Sequence, residues 1–300
     1  MLSCFRCLGL LILWLLLSIE AWACPCGCGA INAQVMNPGE TWKWSLGLTR
    51  DTDFQVVAYD GIAGRDPGPT EKDTLTISMA RAISDRFSAT LSLQGHRNSR
   101  PLEESRYSIG DPSLSGRLTL LQQTFVKPLV PQIQAFATYK QSVAKSVYDK
   151  GVESRGMDVH GNGLSEFVAG LDLWWGMESI KFGLAQTMIM PLERDFARDE
   201  FRTTITPGLG MKTTMSGGYN VIGLGTVLLS LDREERLPLA IDGELKAASE
   251  VLVHSMTVTG SYRVGPLQTA GITWKRTAAF SINRNTTRAQ SISLGFMEAM

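Results

Sequence analysis

Between Thr74 and Gln94 the chain alternates with a period of two. Leu75, Ile77 and Met79 interleave with Thr74, Thr76, Ser78 and Ala80. After Ser84-Asp85-Arg86, Phe87, Ala89, Leu91 and Leu93 interleave with Ser88, Thr90, Ser92 and Gln94. Successive side chains of a strand point to opposite faces, so each arm has one apolar face and one hydroxyl-rich face. The short polar break between them predicts a hairpin turn.

The same rhythm recurs along the chain. Trp42, Trp44, Leu46 and Leu48 alternate with Lys43, Ser45 and Gly47, and Leu114, Gly116, Leu118 and Leu120 with Ser113, Ser115, Arg117 and Thr119. Ile133, Ala135, Ala137 and Tyr139 oppose Gln134, Phe136, Thr138 and Lys140. Phe167 to Trp175 opposes Glu166, Gly170 and Asp172, with Trp174 as the exception. Phe182, Leu184, Met188 and Met190 face away from Lys181, Gly183, Ala185 and Thr187. The pattern next predicts a strand over Phe201–Met211, with Arg202, Thr204, Thr206 and Lys212 on its polar side and a tight turn at Ser216-Gly217-Gly218. Val221–Leu229 and Val251–Tyr262 are strands of unassigned facing, and Asp232–Ala248 reads as a charged loop. Ala270, Ile272 and Trp274 oppose Thr269, Thr273 and Lys275, and Ile292, Leu294 and Phe296 oppose Ser291, Ser293 and Gly295.

This makes about twelve strands of roughly eight to eleven residues, with long charged connections and short turns on alternate ends. The prediction is an all-β, antiparallel transmembrane β-barrel. Closing the sheet leaves no edge and satisfies every backbone group, as a bilayer requires. Trp, Tyr, Phe and Met near strand ends on the apolar faces fit an interfacial girdle. A secreted β-sandwich is the alternative.

The N-terminus points to export, leaving a periplasmic, extracellular or outer-membrane destination. Arg6, the apolar run Leu8–Leu17 and Ala21-Trp22-Ala23 together read as a signal peptide cleaved after Ala23. The run is too short for a retained span of about 18–20 apolar residues. The expected organisation is a signal peptide over 1–23, a Cys-containing periplasmic segment over 24–40 and an outer-membrane barrel over 41–300. Equal counts of basic and acidic residues, 29 and 29, provide no basic face for nucleic acid.

Two short motifs support this assignment. The turn Ile83-Ser84-Asp85-Arg86-Phe87 and the stretch Tyr107-Ser108-Ile109-Gly110-Asp111-Pro112-Ser113-Leu114 resemble the outer-membrane barrel family of the MetA pathway of phenol degradation, also described as transporters. Asp-Pro stands where that family commonly has Asp-Leu, and Ile83 where Gly-Leu is common. The resemblance covers the second to fourth strands and implies an outer-membrane location and a channel or transport role for a small solute.

Candidate chemistry falls in three places. Cys24, Cys26 and Cys28 are the thiols left after cleavage. At alternate positions they can converge on Cu(I), while zinc would normally need a fourth ligand. Pairing with a periplasmic thiol or metal partner and N-terminal lipidation are the other readings. His254-Ser255 invites a hydrolase reading, but no nucleophile elbow, metal-binding helix or phosphate loop accompanies it. Finally, the polar faces carry Lys43, Arg117, Lys140, Lys181, Arg202, Lys212 and Lys275 against Glu166 and Asp172. A cationic lumen predicts weak anion preference, unless the charges pair and narrow the bore.

Overall fold

A computed structural model describes residues 36, 39–65, 71–123, 130–146, 149, 157–161, 163–177, 179–198, 201–221 and 224–300. The expected signal peptide and Cys24, Cys26 and Cys28 lie outside the described residues.

A twelve-stranded antiparallel sheet closes on itself. Its staves are β1 (Trp42–Val57), β3 (Glu71–Ser84), β4 (Phe87–Ser99), β6 (Ser113–Leu121), β7 (Gln132–Lys140), β8 (Glu166–Met177), β9 (Ile180–Pro191), β12 (Gly210–Val221), β13 (Gly225–Arg236), β16 (Val251–Arg263), β17 (Gln268–Thr277) and β18 (Thr286–Ala299). Short β2 (Ala63–Arg65) and β5 (Arg106–Ile109) prolong the wall by pairing with β1 and β4. A separate sheet is built from β10 (Arg194–Arg198), β11 (Phe201–Thr206), β14 (Ala240–Ile241) and β15 (Glu244–Leu245), all in connections of one rim. We call that rim, which carries the long connections, the outer one. The inner rim carries the short turns, the start of β1 and the end of β18, where Trp42 N–H donates to the Met300 carbonyl at 3.0 Å.

Partners of the hydrogen-bonding ladder show the tilt. From Lys43, at the inner end of β1, the row runs through Ala80, Thr90, Ser115, Thr138, Val168, Ile189 and Gly210 to Arg236, at the outer end of β13. Such stagger is what closure of a twisted sheet demands.

The usual inside-out order of a protein is reversed. Leu48, Leu75, Met79, Leu91 and Leu114 are exposed, whereas Lys43, Ser78, Thr90, Gln134, Lys181 and Thr259 are buried. Exposed aliphatics form the outward belt, bordered towards the inner rim by Trp42, Phe87, Tyr219 and Tyr262 and towards the outer rim by Tyr139 and Phe167. An aliphatic belt with aromatic borders matches a hydrocarbon slab, and the hydroxyl ladders Thr49–Ser293, Ser78–Ser92 and Ser216–Ser230, at 2.8 to 2.9 Å, line the bore.

Several expectations shift. The eighth stave is Gly210–Val221, and Phe201–Thr206 is a strand of the outer sheet. Ser216, Gly217 and Gly218 are not a turn but the middle of β12, opposite Ser230, Leu229 and Leu228. A Cβ at Gly218 would come within 2.7 Å of Leu228 Cδ1 and of the Val227 carbonyl, so close strand packing, and not chain reversal, explains this glycine. Asp232 to Arg236, expected within a charged loop, continue β13. Strands that rise above the hydrocarbon can carry charge on both faces, so composition hid their outer ends.

Candidate functional site

Alternation places the charged positions. Lys43, Arg117, Lys140, Glu166, Asp172, Lys181, Lys212 and Lys275 stand on the face opposite the aliphatic belt. Arg202 does not: it lies on β11, outside the wall, with an exposed side chain 3.7 Å from Asp195. Asp51, Lys72, Asp232, Glu234, Arg236 and Arg263 join the inward set. They were legible in principle, since Asp232, Glu234 and Arg236 keep step with Thr226 and Ser230.

The inward charges form two groups. Deep in the bore, Arg117 is ion-paired with Asp172, donates to Gln134 Oε1 at 3.0 Å and stacks its guanidinium 5.2 Å from the Phe136 ring centre. Phe136 and Trp174 both turn inward, and each covers a glycine. A Cβ at Gly170 would lie 2.7 Å from Phe136, and one at Gly183 2.5 Å from Trp174. These rings fill bore space on the β7–β9 side. On the opposite side a cavity of about 280 Å³ remains, lined by Ser45, Thr49, Thr76, Ser78, Gln94, Thr273 and their neighbours.

Nearer the outer rim the charges are largely cross-linked. Lys212 lies 3.3 Å from Asp232, Arg236 bridges Glu234 at 2.7 Å and Glu166 at 3.2 Å, and Lys140 lies 3.3 Å from Asp111. Lys275 is within electrostatic reach of Lys212, Asp232, Glu234 and Asp51, and Lys72 of Asp51, Lys140 and Asp111. Among the described residues Lys72, Lys275 and Arg263 have no carboxylate at ion-pairing distance, and among the inward carboxylates Asp51 alone lacks a basic partner.

A segment of the β7–β8 connection, 157–161, is seated on this outer zone. Inward-facing Asn98 is fully buried and donates through Nδ2 to the carbonyls of Met157 and Val159, both at 2.9 Å. Lys72 Nζ donates to the His160 carbonyl at 3.2 Å. The His96 and His160 rings stack at 6.1 Å, while Thr74 Oγ1 is 3.0 Å from His96 Nδ1. Asp111 holds the start of the same connection by accepting from the Val143 and Ala144 amides at 2.9 Å. The segment therefore narrows the outer mouth on the β3–β4 side. Burial, followed by the nearby Lys72 charge, holds the His160 pKa below its ordinary value.

His254 and Ser255 do not form a hydrolytic pair. It projects outward beside Phe280, with Nδ1 3.1 Å from the Ile282 carbonyl, and Ser255 points to the other face, buried. Among the described residues no group of three or more His, Cys, Asp or Glu side chains could hold a metal ion. The Cu(I) reading thus rests on Cys24, Cys26 and Cys28 alone.

No protein-family model matches the chain, and no curated protein matches it. Solved structures do. An outer membrane channel from Pseudomonas putida F1 superposes with a TM-score of 0.67 at 12% identity, over 90% of this chain and 98% of that one. The translocator domain of the autotransporter NalP from Neisseria meningitidis gives 0.51 at 10% identity, over 89% and 91%. A KdgM porin gives 0.47 at 9% identity, over 85% and 99%. The fold is that of an outer-membrane barrel.

Proposed function

We propose that the chain is an outer-membrane channel that passes a small solute, with weak preference for anions. The observation that carries this reading is the bore itself: a closed wall, polar and hydroxyl-lined within, keeping an open cavity beneath a seated outer segment. The anion preference rests on the surplus of inward cations. Lys72, Lys275 and Arg263 face the bore without a carboxylate at pairing distance, against Asp51 alone on the acidic side. Fixed charge of one sign inside a narrow low-dielectric wall concentrates counter-ions. The likeness to a Pseudomonas putida channel supports the same reading at the level of fold.

The test is reconstitution of the folded barrel in planar bilayers across a potassium chloride gradient. Discrete conductance steps with a reversal potential displaced towards that of chloride are expected. Absence of steps would sink the channel reading, and displacement towards potassium would sink the anion preference. Lys275→Gln should move the reversal potential towards zero.

A further inference from the structure

On the outward face, just beyond the aliphatic belt, the wall carries a cavity that the channel reading does not use. It measures about 510 Å³ and is lined by Asp53, Gln55, Arg276, Arg288, Gln290 and their neighbours. A bulge makes it. Thr52 of β1 pairs with Gln290, but Gln55 pairs with Arg288, so one extra residue is inserted and Asp53 takes a φ of 57°. Arg276 faces Gln290 across β17–β18, which makes Arg288 its diagonal neighbour on the same face, roughly 7–8 Å away. Below them on that face come Trp274 and Ile292, so the two guanidiniums sit at the border of the belt.

We propose that this pocket binds the phosphate of an outer-leaflet glycolipid. Guanidinium pairs are suited to phosphate because their N–H forks match its oxygens. Neither Arg276 nor Arg288 makes an ion pair among the described residues, and Arg288 Nε is buried with no acceptor. By contrast the outward Arg50 and Arg233 are paired with Asp73 and Glu235. A desolvated donor of this kind is one that a phosphate oxygen can satisfy. Asp53 shares the pocket, leaving two positive charges against one negative, and the Gln55 and Gln290 amides add donors. The position selects the source of the phosphate: the pocket opens outward at the level where the polar heads of the outer leaflet begin.

The experiment is native mass spectrometry of the folded, detergent-solubilised barrel offered bis-phosphorylated lipid A and its dephosphorylated form in equal amounts. The wild type should retain the phosphorylated lipid by about tenfold over the other. R276Q/R288Q should lose that excess, while R233Q should keep it. Excess inorganic phosphate should leave the retained lipid in place. Equal retention of the two lipids by the wild type would overturn the proposal, and so would unchanged selectivity in a double variant that still shows the folded, heat-shifted band. Displacement by millimolar inorganic phosphate would mean a free-phosphate site and overturn the lipid assignment. Should the double variant fail to fold, the wild-type comparison of the two lipids still decides the question.

Discussion

At the scale of single residues, the bore is governed by a few side chains that cross it. Arg117 is held by Asp172, Gln134 and the Phe136 face, so removing the carboxylate strands a cation within the wall. Asp172→Ala should destabilise the barrel by about 2 kcal/mol. That is below the roughly 3–5 kcal/mol of a fully buried pair, because both side chains retain some contact with solvent in the bore. Urea unfolding in lipid vesicles would measure it, and a midpoint equal to the wild type would refute the structural weight given to this pair. Trp174 fills bore space over Gly183, which has no side chain to compete with it. Trp174→Ala should raise single-channel conductance with little change in the midpoint. An unchanged conductance would mean that the ring does not bound the ion path.

At the scale of elements, the staves were readable wherever one face meets lipid. Leu75, Ile77 and Met79 against Thr74, Thr76 and Ser78 can be satisfied only by a two-sided strand. Legibility failed where that constraint lapses. Above the belt both faces are wet, and Asp232 to Arg236 read as a loop. On β12 the run Ser216-Gly217-Gly218 reads as a turn, although it is Gly218 that admits Leu228. Phe201–Thr206 alternates as well as any stave, yet pairs with β10 and β14. Nothing local distinguishes the two uses. Nor could the sequence reveal the seating of 157–161, because Asn98 and Lys72 grip backbone carbonyls, and any residue supplies those. That seating makes a pH prediction. His160 is packed against His96, with Lys72 and Asp158 as the charges acting on it, and its pKa is lowered by burial first and Lys72 second. A depressed histidine pKa means the seated form binds fewer protons than the released one. Seating is therefore strongest above the ordinary value near 6.5 and weakens as pH falls below it. Conductance should rise between pH 7 and about 5, and His160→Asn should flatten most of that rise, leaving any remainder to His96. A profile that is flat in the wild type, or equally steep in the variant, would contradict the seating.

At the scale of the whole molecule, the exposed aliphatic belt and the polar bore make sense only together, since either alone would be an error of folding. Closure removes every edge of the barrel wall, so detergent has no edge stave at which to begin unpairing it. The folded barrel should migrate as a distinct band on an unheated detergent gel and shift on boiling. A single band at one position under both conditions would argue against a closed wall. The β1–β18 junction sets the order of assembly. It joins residues near Trp42 to residues near Ala299, the most distant partners along the chain. Each other neighbouring pair of staves comes from one stretch of chain and can form as soon as that stretch is available. The seam alone must wait for the last strand. The loop-closure entropy of nearly the whole sequence falls on this one step. Until then the curled sheet presents two unpaired edges, each able to capture another chain. The rate at which this seam zips, in competition with such capture, decides how much of the protein becomes a closed barrel and how much becomes aggregate.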